Sequence, residues 1–196
     1  LSLLAAAERR ISEQREQITQ LQELALTDGL TGLPTQRAFD EFFYATLAAT
    51  RRYDETGVLA FIDIDNFKTV NDSLGREAGD AVLIRVAEVL TRQVRANDMV
   101  ARYGGDEFVA LLVRTPGYEG KRRARELQNI VNSSHATYES TCIHVRASFG
   151  VVAYSAGDAP ELLIQQADAA MFSNKKMNRS RRRPKIRAGR HYVLIT

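Results

Sequence analysis

Arg102-Tyr103-Gly104-Gly105-Asp106-Glu107-Phe108 joins two short runs of strand-forming residues, Met99-Val100-Ala101 and Phe108-Val109-Ala110-Leu111-Leu112-Val113. Apolar runs separated by a glycine pair predict a β-hairpin. Glycine reaches positive φ without steric cost and lets a phosphate approach the backbone. Asp106 and Glu107 then leave the turn carrying adjacent negative charges. Such a pair is unfavourable unless something positive joins it, and a hard divalent cation is the usual partner. The alternative, on these residues alone, is a surface hairpin with two solvated acids.

A second acidic strand end lies upstream in Val58-Leu59-Ala60-Phe61-Ile62-Asp63-Ile64-Asp65. An apolar run of this length, bounded by Gly57, reads as a buried central strand. Asp63 and Asp65 alternate with Ile62 and Ile64, so both acids project from one face. Pairing of this strand with the 99–113 hairpin would bring Asp63 and Asp106 to a shared magnesium ion. Magnesium takes oxygen ligands and is commonly completed by substrate phosphates. An acidic metal site beside a glycine turn is the outline of nucleotide chemistry.

From about residue 26 to 180 the chain resembles the GGDEF-domain family of diguanylate cyclases. The resemblance runs in order through Asp28-Gly29-Leu30-Thr31-Gly32-Leu33-Pro34, Phe61-Ile62-Asp63-Ile64-Asp65-Asn66-Phe67-Lys68, Asn71-Asp72 and Gly79-Asp80. It continues through Gly104–Phe108 to Ala167-Asp168, Lys175 and Arg179. It implies condensation of two GTP to cyclic di-GMP with loss of two pyrophosphates, on an α+β fold. The implied sheet is five-stranded, mixed but largely antiparallel, and flanked by helices like the palm of nucleotide cyclases and polymerases.

The same resemblance assigns roles. Asp63, the Ile64 carbonyl and Asp106 are metal ligands, for magnesium or alternatively manganese. Glu107 joins them or takes the hydroxyl proton. Gly104 and Gly105 contact phosphates through the backbone, Lys68 neutralises the triphosphate, and Lys175 and Arg179, four apart on one helical face, clamp it. Asn71 and Asp80 read guanine, supplying a donor for its acceptor edge and a carboxylate for its N–H groups. Arg95 and Asp98 match the family's Arg-x-x-Asp site for inhibitory product; the alternative is a helix-end salt bridge. Three departures touch affinity more than chemistry. Arg76 stands near the guanine pocket where histidine is usual, and Thr35 replaces an asparagine. Asn178 and Ser180 flank Arg179 where glycine and asparagine are common.

Composition is consistent with this reading. The 196 residues suffice for one domain with an appendage. No apolar stretch approaches 18 residues, no signal peptide is visible, and Cys142 alone rules out an internal disulfide framework. His135, His144 and His191 lack zinc-site spacing. Nine of the 27 basic residues and none of the 24 acidic ones lie from Lys175 onward, so the preceding body is acidic. Lys175 and Arg179 aside, the basic end reads as solvated tail, and no nucleic-acid partner is expected.

Residues 1–26 read as a signalling helix, 27–180 as the catalytic domain and 181–196 as a basic tail. Leu4, Ile11, Ile18 and Ala25 occupy heptad position a, with Ala7, Gln14 and Leu21 at d. That seam predicts a homodimeric coiled coil, the alternative being a helix folded against its own domain. Leu1 in place of methionine suggests a fragment whose sensor lies upstream, acting in the cytoplasm with any membrane anchor in that missing part. Helices are expected near 35–53, 66–74, 78–95, 119–132 and 159–176, and a strand near 143–153. The rival readings are a silent receptor for GTP or cyclic di-GMP, and a cyclase making a hybrid dinucleotide.

Overall fold

The structure, a computed structural model, describes Glu8, Arg10, Ile11, Gln14, Arg15, Leu21, residues 26–181 and the backbone of 185–188 and 191–194, with side chains described up to residue 178. Its elements are α1 (Gln36–Tyr53), β1 (Gly57–Ile64), α2 (Phe67–Leu74), α3 (Arg76–Gln93), β2 (Met99–Arg102), β3 (Glu107–Leu112) and α4 (Gly117–Asn132). There follow β4 (His135–Tyr138), β5 (Thr141–His144), β6 (Ala147–Tyr154), α5 (Pro160–Arg181), β7 (Lys185–Ala188) and β8 (His191–Leu194).

β1 is the spine of the domain. All eight of its residues are buried, as its apolar run from Val58 to Ile62 requires, and the burial extends to Asp63. It lies between β3 and β6 in a sheet of order β2-β3-β1-β6, every pair antiparallel. The alternation of β1 separates two cores. Val58, Ala60, Ile62 and Ile64 join the cluster under α3 and α4, with Val82, Val86, Leu90, Leu127 and Val131. Leu59 and Phe61 join Phe39, Phe43 and Leu47 of α1 and Leu163, Ala167 and Met171 of α5. The sheet is thus a layer with helices on both faces, and Asp63, in phase with Leu59 and Phe61, falls on the α5 side. Each buried Leu, Ile or Phe of these clusters contributes roughly 1.5–3 kcal/mol of transfer free energy.

Two close approaches set the helices against the sheet. A Cβ on Gly150 of β6 would collide with the Ala167 carbonyl and the Met171 backbone, so glycine there lets α5 lie directly on the strand. On the other face, a Cβ on Gly120 of α4 would collide with Val58. Both are backbone-to-neighbour contacts that no L side chain admits.

The structure corrects several expectations. The main sheet has four strands, and among the described residues its only parallel link is the isolated bridge of Thr35 with Arg102. The strand expected over 143–153 is two strands in different sheets. The chain is diverted at Val145, whose N–H donates to the Ser134 carbonyl (3.1 Å), and Ala147 N–H donates to Asn132 Oδ1 (2.7 Å). β5 instead pairs with β4, which was not anticipated, and with β7. The basic end therefore has backbone pairing of its own in the sheet β4-β5-β7-β8. α5 runs to Arg181, beyond its expected end near 176.

Leu4, Ala7, Ile18 and Ala25 of the proposed coiled-coil seam lie outside the described residues. Ile11, Gln14 and Leu21 are helical, with Ile11 50% and Leu21 66% exposed. Among the described residues no helix is long and apolar enough to cross a membrane.

Candidate active site

The register of β1 against β3 sets Asp63 opposite Glu107, and the Ile64 N–H donates to the Asp106 carbonyl (3.1 Å). Strand pairing alone thus brings the two acidic segments together. The turn between β2 and β3 closes on Glu107, whose carbonyl accepts from Tyr103 N–H (2.8 Å) and Gly104 N–H (3.2 Å). A Cβ on Gly104 would stand 2.6 Å from Glu107 Oε2, so glycine lets that carboxylate fold over its own turn. No neighbour lies within 4 Å of a Cβ placed on Gly105, which leaves this side of the turn open to a ligand.

Arg102 locks the turn in place, a role the sequence reading had not assigned. Its Nη2 donates to the Gly105 carbonyl (2.7 Å) and its Nη1 to both oxygens of Asp28 (3.1 Å each). Asp28 also accepts from Thr31 N–H (2.9 Å) and Thr31 Oγ1–H (2.6 Å). Burial opposes ionisation of Asp28, but the Thr31 and Arg102 hydrogen bonds outweigh it and hold its pKa below the ordinary value. The Asp28–Pro34 segment and the glycine turn form one braced unit. The available signal was the arginine that opens the heptapeptide.

Asp63 is 7% exposed and accepts a hydrogen bond from Lys175 Nζ. Burial raises its pKa; Lys175 opposes this, while Asp106 and Asp65 add to it. Glu107 is raised by burial, then by the charges of Asp63, Asp106 and Asp168, with Lys175 again opposing. Asp168, quoted above only as part of a motif, therefore belongs to the same electrostatic cluster. Repulsion among these acids, only partly relieved by one lysine, is what a divalent cation would remove.

Lys175 reaches Asp63 because α5 is stitched to β6. Asn174 Nδ2 donates to the Phe149 carbonyl (2.7 Å) and Asn178 Nδ2 to Ser148 Oγ (3.0 Å), whose hydroxyl donates to Asp65 Oδ1 (2.7 Å). Asn178, a departure from the family pattern, is thus part of the fastening. Arg179 follows one turn after Lys175 on α5; its side chain lies outside the described residues.

Lys68 and the expected base residues sit on the two helices after β1. Asn66, in the left-handed region at φ 59°, turns the chain into α2, whose first turn carries Lys68, exposed. Asn71 is half-buried, with its Oδ1 enclosed and without a partner. Gly75, at φ 90°, ends α2 and caps α3, so Arg76 and Asp80 are exposed on the first turns of α3.

Arg95 and Asp98 lie elsewhere, at the end of the β2–β3 hairpin remote from its turn, since Met99 pairs with Leu111. The Asp98 side chain is 1% exposed. Its Oδ2 accepts from Arg95 N–H (2.9 Å) and Arg123 Nη2 (2.7 Å), and its Oδ1 from Val113 N–H (3.0 Å). Asp98 therefore ties three segments together, while the Arg95 residue is exposed. Arg123, on α4, had not been singled out, and its distance in sequence left no signal.

The diguanylate cyclase GGDEF-domain family model matches residues 25–181. Diguanylate cyclase DgcP of Pseudomonas aeruginosa is 35% identical over 157 residues, covering 80% of this chain and 23% of the relative. Diguanylate cyclase TpbB of the same organism is 36% identical over 160 residues, covering 80% of this chain and 36% of the relative. The chain thus spans about a quarter to a third of these relatives. Among solved structures, the coiled coil and GGDEF domain of DgcB from Caulobacter crescentus, in complex with c-di-GMP, superposes with a TM-score of 0.73 at 30% identity, covering 90% of this chain and 94% of that one. With its glycine turn, paired acidic strand ends and braced Asp28 segment in place, this chain belongs to the diguanylate cyclase GGDEF-domain family.

Proposed function

We propose that the chain is an active catalytic domain that condenses two GTP into cyclic di-GMP and two pyrophosphates. The observation that carries this is the meeting of Asp63 and Glu107 across the β1–β3 register beside an open Gly104–Gly105 turn. No departure from the family pattern touches these residues.

The donor set fits a divalent cation. Hard oxygen donors line the strand ends, and burial together with neighbouring carboxylate charge raises the proton affinity of Asp63 and Glu107. Asp63, the Ile64 carbonyl and Asp106, with Glu107 beside them, would hold magnesium, or manganese as the alternative. When bound, it supplies charge neutralisation at the reacting phosphate.

The chain's own residues do the rest. Lys68, Lys175 and Arg179 hold the triphosphate, and the open turn presents its backbone to the phosphates. Asp80 accepts from the guanine N–H groups, Asn71 donates to the acceptor edge, and Arg76 borders that pocket. Glu107 touches the metal as well or takes the 3′-hydroxyl proton during attack on the α-phosphate.

One such site holds one GTP, so two domains must face each other, and the 1–26 helix is the proposed dimer contact. Arg95 with Asp98 is proposed to bind cyclic di-GMP as inhibitor, away from the turn, the exposed Arg95 by contact and the buried Asp98 carboxylate by holding the Arg95 backbone in place. GTP as substrate favours work in the cytoplasm.

The test is product identification by mass spectrometry after incubation with GTP, ATP and magnesium. Cyclic di-GMP is expected, and Asp63→Ala or Asp106→Ala should each lower the rate by about a thousandfold or more. A hybrid dinucleotide, no product at all, or near-normal turnover in either variant would overturn the proposal.

A further inference from the structure

Gly79 lies in the first turns of α3 and is buried against α2. A Cβ at this position would overlap Asn71 Oδ1, stand 3.0 Å from Asn71 Cγ and 3.2 Å from Phe67 Cζ. The carbonyl end of the Asn71 amide therefore occupies the space that any other residue at 79 would fill. That oxygen is enclosed and has no hydrogen-bond partner. Shape alone fixes the amide, and the shape is supplied by the bare Cα of Gly79.

The consequence concerns which end of Asn71 is offered outward. With Oδ1 sealed against α3, the hydrogen-bonding capacity left for a ligand is the amide NH₂, a donor with no acceptor group competing beside it. A helix-interior glycine otherwise weakens its helix relative to alanine, so its presence here needs a reason outside the helix.

We infer that Gly79 is a positioning residue for base recognition: it seats the Asn71 carbonyl so that the amide presents only donors to the acceptor edge of guanine. The inference rests on the proposed guanine pocket. It adds that specificity depends on a position that itself makes no contact with the base.

A double-mutant cycle on the full 196-residue chain separates this role from a merely structural one. Binding of guanosine 5′-O-(1-thiotriphosphate) and of ATP is measured by titration for the wild type, Gly79→Ala, Asn71→Ala and the double variant, with thermal unfolding in parallel. Gly79→Ala should weaken binding of the guanine nucleotide by about tenfold and erode its preference over ATP, the loss of roughly one hydrogen bond. Asn71→Ala should do the same. In the Asn71→Ala background, where the amide is gone and only the Phe67 ring edge must give by a few tenths of an ångström, Gly79→Ala should change affinity less than about twofold.

Additive effects, or a Gly79→Ala variant that binds like the wild type while Asn71→Ala does not, would overturn the role of Gly79 and leave the pocket standing. Unchanged affinity in Asn71→Ala would instead remove the pocket reading itself, and the inference with it. If Gly79→Ala fails to fold, the double variant still decides: it must bind as Asn71→Ala does.

Discussion

Replacing Lys175 by methionine removes the charge that accompanies Asp63 while keeping most of the side-chain volume. The two partners are 16% and 10% exposed in their side chains, so this ion pair is largely shielded from water. Breaking a buried pair by deleting one partner costs about 3–5 kcal/mol. Partial exposure, and the option for Asp63 to take up a proton, reduce the expected cost to about 2–3 kcal/mol. For a domain of this size that is a fall in Tm of roughly 4–12 °C. The deficit should shrink in acid, because protonation of Asp63 removes the pair from the wild type as well.

A second arm ties the same variant to the metal. Without Lys175, Asp63 loses the one influence that lowers its proton affinity, while burial, Asp106 and Asp65 still raise it. A divalent cation would then relieve charge that nothing else offsets. Magnesium should therefore raise the Tm of Lys175→Met by more than it raises that of the wild type, in proportion to its preference for the folded state. Scanning calorimetry with and without magnesium, at neutral and acid pH, reads both effects. A variant as stable as the wild type, or a magnesium shift equal in the two proteins, would refute the claim that Lys175 and a cation serve the same carboxylate.

Glu107→Gln tests the acid cluster from its other side. The folded pKa of Glu107 lies above its ordinary 4.5, so its contribution to stability is complete below pH 4.5 and is lost as pH rises through the folded value. The metal-free variant should be more stable than the wild type at neutral pH, by less than about 1 kcal/mol after solvent screening, and equal to it below pH 4.5, as read from urea midpoints. Asp98→Ala strands two backbone N–H groups and the Arg123 guanidinium, and should cost about 2–4 kcal/mol in the same assay. Arg95→Ala should stay within about 0.5 kcal/mol of the wild type and yet relieve slowing by accumulated cyclic di-GMP; unrelieved inhibition would return the pair to a structural role. Ile11→Lys with Ile18→Lys should give a chain whose rate per molecule climbs with protein concentration, and a rate independent of concentration would exclude the coiled coil as the dimer contact.

The parts of the fold that were legible are those whose signal is local. β1 announces itself by the apolar run Val58–Ile62 with Ile64, interrupted only by Asp63, and the β2–β3 hairpin by its glycine pair. α1 is equally plain, since Phe39, Phe43 and Leu47 recur at helical spacing and all three are buried. The failures have two causes. From Ile143 to Val151 the alternation is nearly continuous, and period two cannot tell which sheet a strand joins. The break at Val145 is imposed by hydrogen bonds to Ser134 and Asn132, at the end of α4 and just beyond it. β4 escaped notice because Ala136 is its one fully buried residue, so it carries no apolar run to detect.

The site follows the same division, with one instructive difference. Asp63, Asp106 and Glu107 could be read because each sits at the end of a strand and the strands are neighbours; their meeting needs only correct register. Asp168 and Lys175 join them through α5, whose close approach to β6 is permitted by Gly150, and the same device operates at Gly79. In each case a functional side chain is placed by a glycine that touches no substrate. At Gly150 the missing Cβ admits a helix backbone and so brings Lys175 to Asp63; at Gly79 it admits an amide and so aims Asn71. Motifs reveal the groups that carry charge or donate hydrogen bonds, because chemistry restricts those residue types. The spaces that aim these groups are defined only by what packs into them, and so become visible only once the chain is folded.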